Sequence, residues 1–531
     1  MNGPAILLLG ALLASRAEFA DITLAFERAA TIWASLSTLS GSDVSALPLN
    51  RAAVIFPDYT DIVIPPNIAP LNFMFQEKGE RYRVRLIGGR SKWTVSSRSG
   101  KMQFSLGKWR RFLRKNRGAA VKVELFIRRD GKWFAYSPTE WRIAEEPIDE
   151  GLVYRIIDPA YHLWSEMGIY QRNLTNFDEK LIMTNRTVKN ACLNCHSFCA
   201  GDPNKFMFHL RGGPGTALIL AVDGQYQTID TRTELNSSPG AYRCWHPNGR
   251  YIAFSVNKVA QFFHAVGENR DVYDSASDLI LYDIATNIVS TCPQIADPNE
   301  METYPMWTPD GRTLYFCSAP QADFSDELNL PYDKILYSLK RISFDPDQEA
   351  WGTVETVIDA KKFGKSITHP SVSPDGRFLL FSASGYGNFT IYKRDSDLYM
   401  MDLKSGEWGL LPVNSDQVDS YHSWSSNSRW FVFSSKRHNL VTARPYFVHV
   451  DEKGGVSKPF IMPQKDPEFY LNFIKTYNVP ELVKKRVPYR PQKLTQAAYR
   501  KAEKAKAKSG IKSTERSAEP ETTPWPWQPT Q

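Results

Sequence analysis

The sequence predicts an all-β protein in which a small β-sandwich precedes a larger domain built from a repeated unit. Aromatic residues make up 13% of the 531 residues, as expected of sheet-rich folds. In the second half, a strand, a tight turn and a second strand recur. Each copy is followed by another strand pair, so one unit has four strands, which is the make-up of a propeller blade.

The N-terminal segment has features of an export signal. Residues 5–14 form an apolar run too short to span a bilayer as a helix, and Ser15-Arg16-Ala17 offers a small-x-small cleavage site. Residues 1–4 carry no Lys or Arg, which is atypical, and a buried N-terminal helix is the alternative. We expect a signal peptide at residues 1–17, followed by a linker or helix at residues 18–52.

Residues 53–148 are expected to form the β-sandwich-like domain. Residues 121–127 alternate between apolar and polar side chains, and Asp130-Gly131 follows them as a hairpin turn. The basic stretch at residues 107–117 interrupts the strand pattern. It is expected to be a short helix or a connection between strands.

Residues 149–462 are expected to form the propeller. In the repeat, Pro-Asp-Gly suits a tight turn because Pro fixes φ and Gly accepts a positive φ. The fourth copy has Ser426-Asn427-Ser428 instead, which makes that turn less certain. Less regular blades are expected at residues 152–184 and 207–230, which gives six blades, with seven as the alternative. The four clear copies cover residues 242–255, 304–317, 369–382 and 421–434.

These turns resemble the repeats of TolB-like (WD40-like) β-propellers, whose core motif is W-S-P-D-G-(R/K)-x-(I/L)-x-(F/Y)-x-S. The stretches at residues 307–312 and 373–377 match this motif well, and Pro247-Asn248-Gly249 is close to it. The resemblance covers roughly residues 240–462 and implies a propeller fold.

Residues 192–196 read C-x-x-C-H, the signature for covalent attachment of a c-type haem. Two thioether bonds need two thiols about one turn apart, so Cys192 and Cys195 are the candidate attachment residues. His196 is then the candidate proximal ligand of the iron. We expect one covalent haem c, held on an insertion at residues 186–206 between the first two blades.

Other interpretations of the same cysteines stay open. Cys192 and Cys195 can form a disulfide, or one of them can pair with Cys199, and a thioredoxin-like redox pair is a further alternative. An iron–sulfur site needs four ligands, with Cys199 and a distant residue such as Cys244 completing the set. A zinc site needs a second ligand pair at suitable spacing, and the sequence has none.

The sixth ligand of the iron would be a His or a Met. If residues 205–211 form a strand, alternation puts Met207 and His209 on one face and Phe206 and Phe208 on the other. His209 is the first candidate and Met207 the second, and a propeller core position is the alternative for both. An open sixth site is another alternative.

Three further histidines, His246, His369 and His422, lie at or beside the start of the repeats. In a propeller such positions can face the central channel. We expect them to be structural residues of the repeat and not iron ligands.

The C-terminal part is predicted to contain two short helices at residues 463–490 and a basic, largely disordered tail at residues 491–531. The net charge of +8 is concentrated in this tail and in residues 108–117. We therefore do not expect a nucleic-acid partner. No stretch after the N-terminal run is long and apolar enough to predict a transmembrane helix in the mature chain.

The enzyme motifs G-x-S-x-G, the P-loop, G-x-G-x-x-G and H-E-x-x-H are missing from the sequence, which argues against a hydrolase. The leading hypothesis is an exported monohaem c-type cytochrome that exchanges electrons with a redox partner protein. The alternative is a protein- or glycan-binding propeller module in which the haem is structural or sensory. Because c-type haem is attached outside the bacterial cytoplasm, we expect the periplasm or cell envelope of a Gram-negative bacterium. The whole chain resembles uncharacterised envelope propeller proteins that carry a single C-x-x-C-H.

Overall fold

The structure is a computed structural model that describes residues 45–89, 91–159, 166–262, 271–326 and 329–511. At residues 194, 195, 261 and 262 it describes the backbone alone. The expected signal peptide at residues 1–17 lies outside the described residues, as does most of the expected linker. Almost all regular structure in the described part is strand, so the predicted all-β class is confirmed.

The N-terminal domain contains a seven-stranded sheet and a three-stranded sheet. Its elements are β1 (Ala46–Pro48), β2 (Ile55–Phe56), β3 (Ile62–Ile64), β4 (Phe73–Phe75), β5 (Arg81–Gly88), β6 (Ser91–Ser97), β7 (Lys101–Met102), α1 (Leu106–Lys115), β8 (Ala120–Arg129), β9 (Lys132–Ala135) and β10 (Thr139–Ile143). Strands β2, β4 and β7 form the smaller sheet. Most pairs are antiparallel, but β1 pairs with β9 and β10 pairs with β3 in parallel.

The basic stretch of this domain forms the helix α1, as the sequence suggested. Trp109, Phe112 and Leu113 share its buried face, while its charged residues lie on the other side. The Trp109 indole also donates a hydrogen bond to the carbonyl of Ile68 at 2.9 Å. The basic run is therefore the outer face of a core-packed helix.

The larger domain is a β-propeller made of short antiparallel sheets. Its strands begin with β11 (Gly151–Ile157), β12 (Met167–Asn173), β13 (Glu179–Thr184), β14 (Cys192–Phe198), β15 (Lys205–Arg211), β16 (Ala217–Val222), β17 (Gln225–Asp230), β18 (Arg243–Trp245), β19 (Tyr251–Phe262), β20 (Asp271–Asp283) and β21 (Ile288–Ser290). They continue with β22 (Glu300–Trp307), β23 (Thr313–Pro320), β24 (Ser338–Asp345), β25 (Ala350–Ile358), α2 (Ala360–Phe363), β26 (Ser366–Val372), β27 (Phe378–Ser384), β28 (Asp397–Asp402), β29 (Trp408–Leu410), β30 (Asp419–Trp424), β31 (Trp430–Ser435), β32 (Arg444–His449), β33 (Phe460–Ile461) and α3 (Phe469–Asn472).

A late strand, β34 (Thr476–Val483), completes the first sheet by pairing with β11. The described residues then form six propeller sheets, which we call blades 1 to 6, with inner strands β34, β14, β18, β22, β26 and β30. Each inner strand contacts the next one, and β34 contacts both β30 and β14, so these strands form a closed ring. The ring surrounds the central channel.

The prediction of two helices at residues 463–490 is correct only for α3; the second segment is β34. Pro480 lies where the register between β34 and β11 shifts. Proline is tolerated at such a bulge because the ladder there is already interrupted. This segment is a strand because it supplies the inner strand that blade 1 otherwise lacks.

The prediction of a largely disordered tail from residue 491 is wrong for residues 491–511. This part forms α4 (Pro491–Ala498), β35 (Glu503–Lys504) and β36 (Lys506–Ala507). The two short strands pair in parallel with β17 and β21, at the outer edges of blades 2 and 3. The exposed edge of a sheet has unpaired backbone N–H and C=O groups, and β35 and β36 form hydrogen bonds with those of β17 and β21.

The repeat turns have the expected geometry. Gly249, Gly311 and Gly376 have φ values of 73°, 71° and 74°. In the fourth copy Ser428 takes the same role with φ of 61°, so the turn survives without glycine. At Gly311 a Cβ atom would also lie 2.3 Å from Nε2 of His246, which requires glycine for space as well.

Candidate functional site: the central channel and its mouth

The inner strands share a bulge that shapes the channel. The register with the neighbouring strand shifts between Thr303 and Met306 in blade 4, between Thr368 and Ser371 in blade 5, and between Ser420 and Ser423 in blade 6. The backbone takes a positive φ of 49–52° at Tyr304, His369, Tyr421 and Val479. A bulge changes the direction in which the following side chains point, and here the same change recurs in several blades.

The C-x-x-C-H segment carries the same bulge. The register of β14 shifts between Asn194 and Ser197, so Cys195 and His196 occupy the bulge of blade 2. The predicted haem-binding insertion at residues 186–206 is therefore corrected, because its centre is the inner strand of a blade. His196 takes the place that His422 takes in blade 6.

A stack of rings follows the bulges around the channel. Ring centroids lie 4.3 Å apart for Tyr242 and Tyr304, 4.1 Å for Tyr304 and His369, and 4.7 Å for His369 and Tyr421. Most residues at these positions are partly exposed although they lie in the middle of the domain, as expected of the wall of a channel. His369 belongs to this stack, and His422 follows Tyr421 in the same bulge.

His196 is almost completely buried, with 2% of its surface exposed. Its Nε2 lies 3.9 Å from Oε2 of Glu481, and among the described residues neither ring nitrogen makes a hydrogen bond of normal geometry. Burial lowers the pKa of His196 to about 3, and the nearby charges of Arg243 and Arg155 act in the same direction. The imidazole is therefore neutral at neutral pH.

Glu481 and Arg243 give the channel its ionisable character. Glu481 accepts a hydrogen bond from the backbone N–H of Phe198 at 2.9 Å, and burial raises its pKa to about 7, against the opposing effect of Arg243. Arg243 is partly exposed, and its guanidinium has no hydrogen bond or ion pair within the described part of the chain. Among the described residues, the channel thus holds a cation without a partner.

Cys192 lies in the hydrophobic cluster between blades 1 and 2, and 7% of its surface is exposed. Three residues of a strand span about 10 Å, whereas one helical turn rises roughly 5 Å. The described backbone therefore does not hold Cys192 and Cys195 one turn apart. The side chain of Cys195 lies outside the described part.

These residues do not fit a covalent haem in this arrangement. Cys192 packs in the cluster between the blades, and His196 is enclosed beside Phe198, at a ring distance of 6.3 Å, and Glu481. A macrocycle bonded to both would require β14 to leave its sheet. Haem attachment stays a prediction.

The two candidate distal ligands lie on one face of β15, as alternation predicted. Met207 is fully buried in the cluster between blades 2 and 3. His209 packs against Phe254 with ring centroids 5.8 Å apart, and burial places its pKa well below its usual value. Both occupy core positions, whereas His196 contacts the inner strand of blade 1.

Within the described residues, Cys199, Cys244, Cys292 and Cys317 are free thiols that form no disulfide. Cys244 Sγ lies 3.6 Å from Sδ of Met306, and burial raises the thiol pKa to about 12. The part of the chain described by the structure contains no group of three or more His, Cys, Asp or Glu residues arranged to hold a metal ion.

His246 has a different role from the channel histidines. Its Nε2 lies 2.9 Å from the carbonyl oxygen of Gly311, and its Nδ1 accepts a bond from the backbone N–H of Asn248. It therefore ties the turn of blade 3 to that of blade 4. This agrees with its expected structural role.

One end of the channel, which we call the mouth, lies where the hairpin β19–β20 contacts residues within 320–326, 329–337 and 384–397. Here Asn257 donates a hydrogen bond to Asp274 at 2.6 Å, and Asn388 donates a second one. Burial raises the pKa of Asp274 to about 7, although both amides act against this. The Tyr304 hydroxyl donates to the carbonyl of Asn388 at 2.8 Å, which joins the mouth to the ring stack.

A second group at the mouth combines an ion pair with aromatic rings. Asp271 and Lys393 form a buried salt bridge, and the Tyr386 hydroxyl donates to Asp271 at 3.0 Å. The Lys393 ammonium also lies 3.2 Å from the centroid of the Tyr386 ring. Tyr332 packs 6.1 Å from Tyr386 and 5.6 Å from Tyr273, which stacks on Phe324.

Sequence reasoning missed most of this site. When the repeats are aligned at the bulge, Cys244 corresponds to Ser371, and Arg243 then corresponds to Pro370. This alignment would have identified Arg243 as a residue of the channel wall. Glu481 gave no signal because its strand was expected to be a helix. Asp271 and Lys393 lie 122 positions apart in the chain, and no local pattern connects them.

No known family profile matches the chain, and the comparison with curated proteins finds no match. Solved β-propeller structures show a weak likeness. The propeller domain of the Trilobed protease from Pyrococcus furiosus is 12% identical with a TM-score of 0.31, over 64% of this chain and 80% of that chain. Oligogalacturonate lyase from Vibrio parahaemolyticus is 12% identical with a TM-score of 0.30, over 54% and 85%. The propeller assignment rests on the sheet order and the closed ring of inner strands. No helix in the described ranges is long and apolar enough to cross a membrane.

Proposed function

We propose that this chain is a glycan-binding β-propeller module of the Gram-negative cell envelope, and that the glycan binds at the mouth of the channel. The observation that carries the proposal is the group of partly exposed rings there, above all Tyr332 and Tyr386. Aromatic faces pack well against the C–H faces of sugars, while neighbouring polar groups bond to the hydroxyls. The two rings come from separate connections, so they border a surface and do not form a continuous strand face.

The charge of the mouth indicates the class of glycan. Asp271, Asp333 and Asp395 lie near Lys393, and all three act to raise its pKa, although burial lowers it overall. Among these four groups the carboxylates outnumber the ammonium, so the surroundings of Lys393 are negative. An acidic polysaccharide would be repelled, so the proposed ligand is a neutral oligosaccharide whose hydroxyls donate to the carboxylates.

The proposal is tested by calorimetric titration of the full chain with neutral oligosaccharides of hexoses and N-acetylhexosamines. Tyr332→Ala should weaken binding of a hit about tenfold, since one aromatic contact and its area contribute on the order of 1–2 kcal/mol. Trp408→Ala is the matched control, because Trp408 is an exposed ring, 37% exposed, on the outer strand of blade 5. Equal weakening by both variants, or no binding by any neutral oligosaccharide, would reject the mouth as the site. Fractionation of the native host checks the proposed envelope location.

Covalent haem attachment is the second candidate function, because the C-x-x-C-H motif is a specific signal. When bound, the haem would supply one-electron chemistry with an envelope partner. Cys192 and Cys195 would hold it through thioether bonds, and His196 would coordinate the iron. This candidate requires β14 to leave its place in blade 2.

Co-expression with a cytochrome c maturation system tests this candidate. A haem-stained band on a denaturing gel that disappears in Cys192→Ala would establish attachment. A protein that folds but carries no stain would remove haem and electron transfer from consideration. The oligosaccharide titration is independent of this result.

A further inference from the structure

We propose that the central channel contains a second binding site, in which Arg243 binds the anionic group of a small carboxylate or phosphate ligand. The site lies on the inner strand of blade 3, one residue after Tyr242 in the ring stack. It is separate from the aromatic rings of the mouth and does not depend on the glycan proposal.

The first argument is the missing partner of Arg243. Within the described residues its guanidinium makes no hydrogen bond or ion pair, and its Nε is buried. A buried donor without an acceptor carries a desolvation cost that a bound anion would remove. The planar guanidinium offers a pair of parallel donors that match a carboxylate or phosphate.

The second argument is the position of the charge. Arg243 lowers the pKa of His196 in blade 2, of Glu481 in blade 1 and of His369 in blade 5. A single group that acts on these blades lies near the axis of the ring. A ligand in the channel would therefore meet it.

The third argument is the neighbouring imidazole. His196 is almost completely buried, and neither of its nitrogens has a hydrogen bond of normal geometry within the described part. The backbone groups of Val153 and Val479 lie near the ring and act to raise its pKa, against the larger effect of burial. In its neutral form it has one N–H that can donate to an anion. His422 also has two buried nitrogens without such a bond among the described residues.

One carboxyl group competes for Arg243. Glu481 lies near it, but the two groups form no salt bridge within the described residues, and burial raises the pKa of Glu481 to about 7. At neutral pH a substantial fraction of Glu481 is therefore protonated. It does not saturate the charge of Arg243.

The test is calorimetric titration of the full chain with inorganic phosphate and, separately, with acetate in a low-chloride buffer. We expect one probe or both to bind with a stoichiometry of one, and the probe that binds identifies the anion. Arg243→Gln should weaken binding at least tenfold. Arg341→Gln removes an arginine that is exposed and paired with Glu355, and it should leave the affinity unchanged.

Arg243→Lys covers the case in which the glutamine variant fails to fold. It keeps the charge but loses the paired donors, so we expect intermediate affinity. Equal weakening by Arg243→Gln and Arg341→Gln, or no binding of either anion to the wild type, would overturn the proposal. Tyr332→Ala should bind the anion normally, which separates this outcome from failure of the glycan site.

Discussion

The mouth and the inner channel both contain buried ionisable groups, but they differ in how those groups are paired. At the mouth, Asp271 is paired with Lys393, and Asp274 accepts bonds from two amides. In the channel, Arg243 and His196 have no comparable partner among the described residues. Paired groups stabilise the fold, whereas unpaired groups next to water-accessible space are available to a ligand.

The largest expected effect comes from breaking the ion pair at the mouth. Lys393→Met leaves the Asp271 carboxylate buried with the Tyr386 hydroxyl as a remaining donor. Removing one partner of a buried pair typically costs about 3–5 kcal/mol, so we expect a loss near 3 kcal/mol in urea unfolding. Adding Asp271→Asn should recover part of that loss, because no buried charge then remains.

An exposed pair provides the control. Arg341 and Glu355 have side chains that are 48% and 59% exposed, and Arg341→Met should cost less than about 1 kcal/mol. If Lys393→Met cost no more unfolding free energy than Arg341→Met, the ion pair at the mouth would be exposed to solvent. Pairing would then not distinguish the mouth from the channel.

How much could be predicted from the sequence depends on whether a feature is set by neighbouring residues or by residues distant in the chain. Alternation and the Pro-Asp-Gly turns predicted the blades, because these signals are local. β34 was missed because its partner β11 lies more than 300 residues away in the chain. The C-x-x-C-H motif was assigned by its spacing, but the bulge that places His196 in the channel is visible only when the inner strands are aligned.

The second prediction concerns the pH dependence of stability that arises from His196 and Glu481 in the channel. The folded pKa of His196 is about 3, below its ordinary 6.5, so as the pH falls below 6.5 the unfolded chain takes up the proton first and stability is lost. The folded pKa of Glu481 is about 7, above its ordinary 4.5, so its contribution is present below pH 4.5 and is lost as the pH rises through 7. The two effects oppose each other between pH 5 and pH 7.

Single variants should reveal these opposing effects. Relative to wild type, His196→Phe should gain about 2 kcal/mol in unfolding free energy when the pH is lowered from 7 to 5. Glu481→Gln should lose about 2 kcal/mol over the same change. Urea unfolding at both pH values measures each difference, and parallel pH profiles for the three proteins would show that neither group is buried as described.

The smallest expected effect is that of Arg243→Gln on stability in the absence of a ligand. No hydrogen bond or ion pair of the guanidinium within the described residues is lost, so the free energy of unfolding should change by less than about 1 kcal/mol. Lys393→Met removes the same charge from a paired position and should cost several times more. A loss near 3 kcal/mol for Arg243→Gln would mean that the arginine supports the fold, and the difference between mouth and channel would then disappear. A small loss together with weakened anion binding would place Arg243 among the groups maintained for a ligand, since a partly buried cation that contributes little to folding has no structural role to perform there.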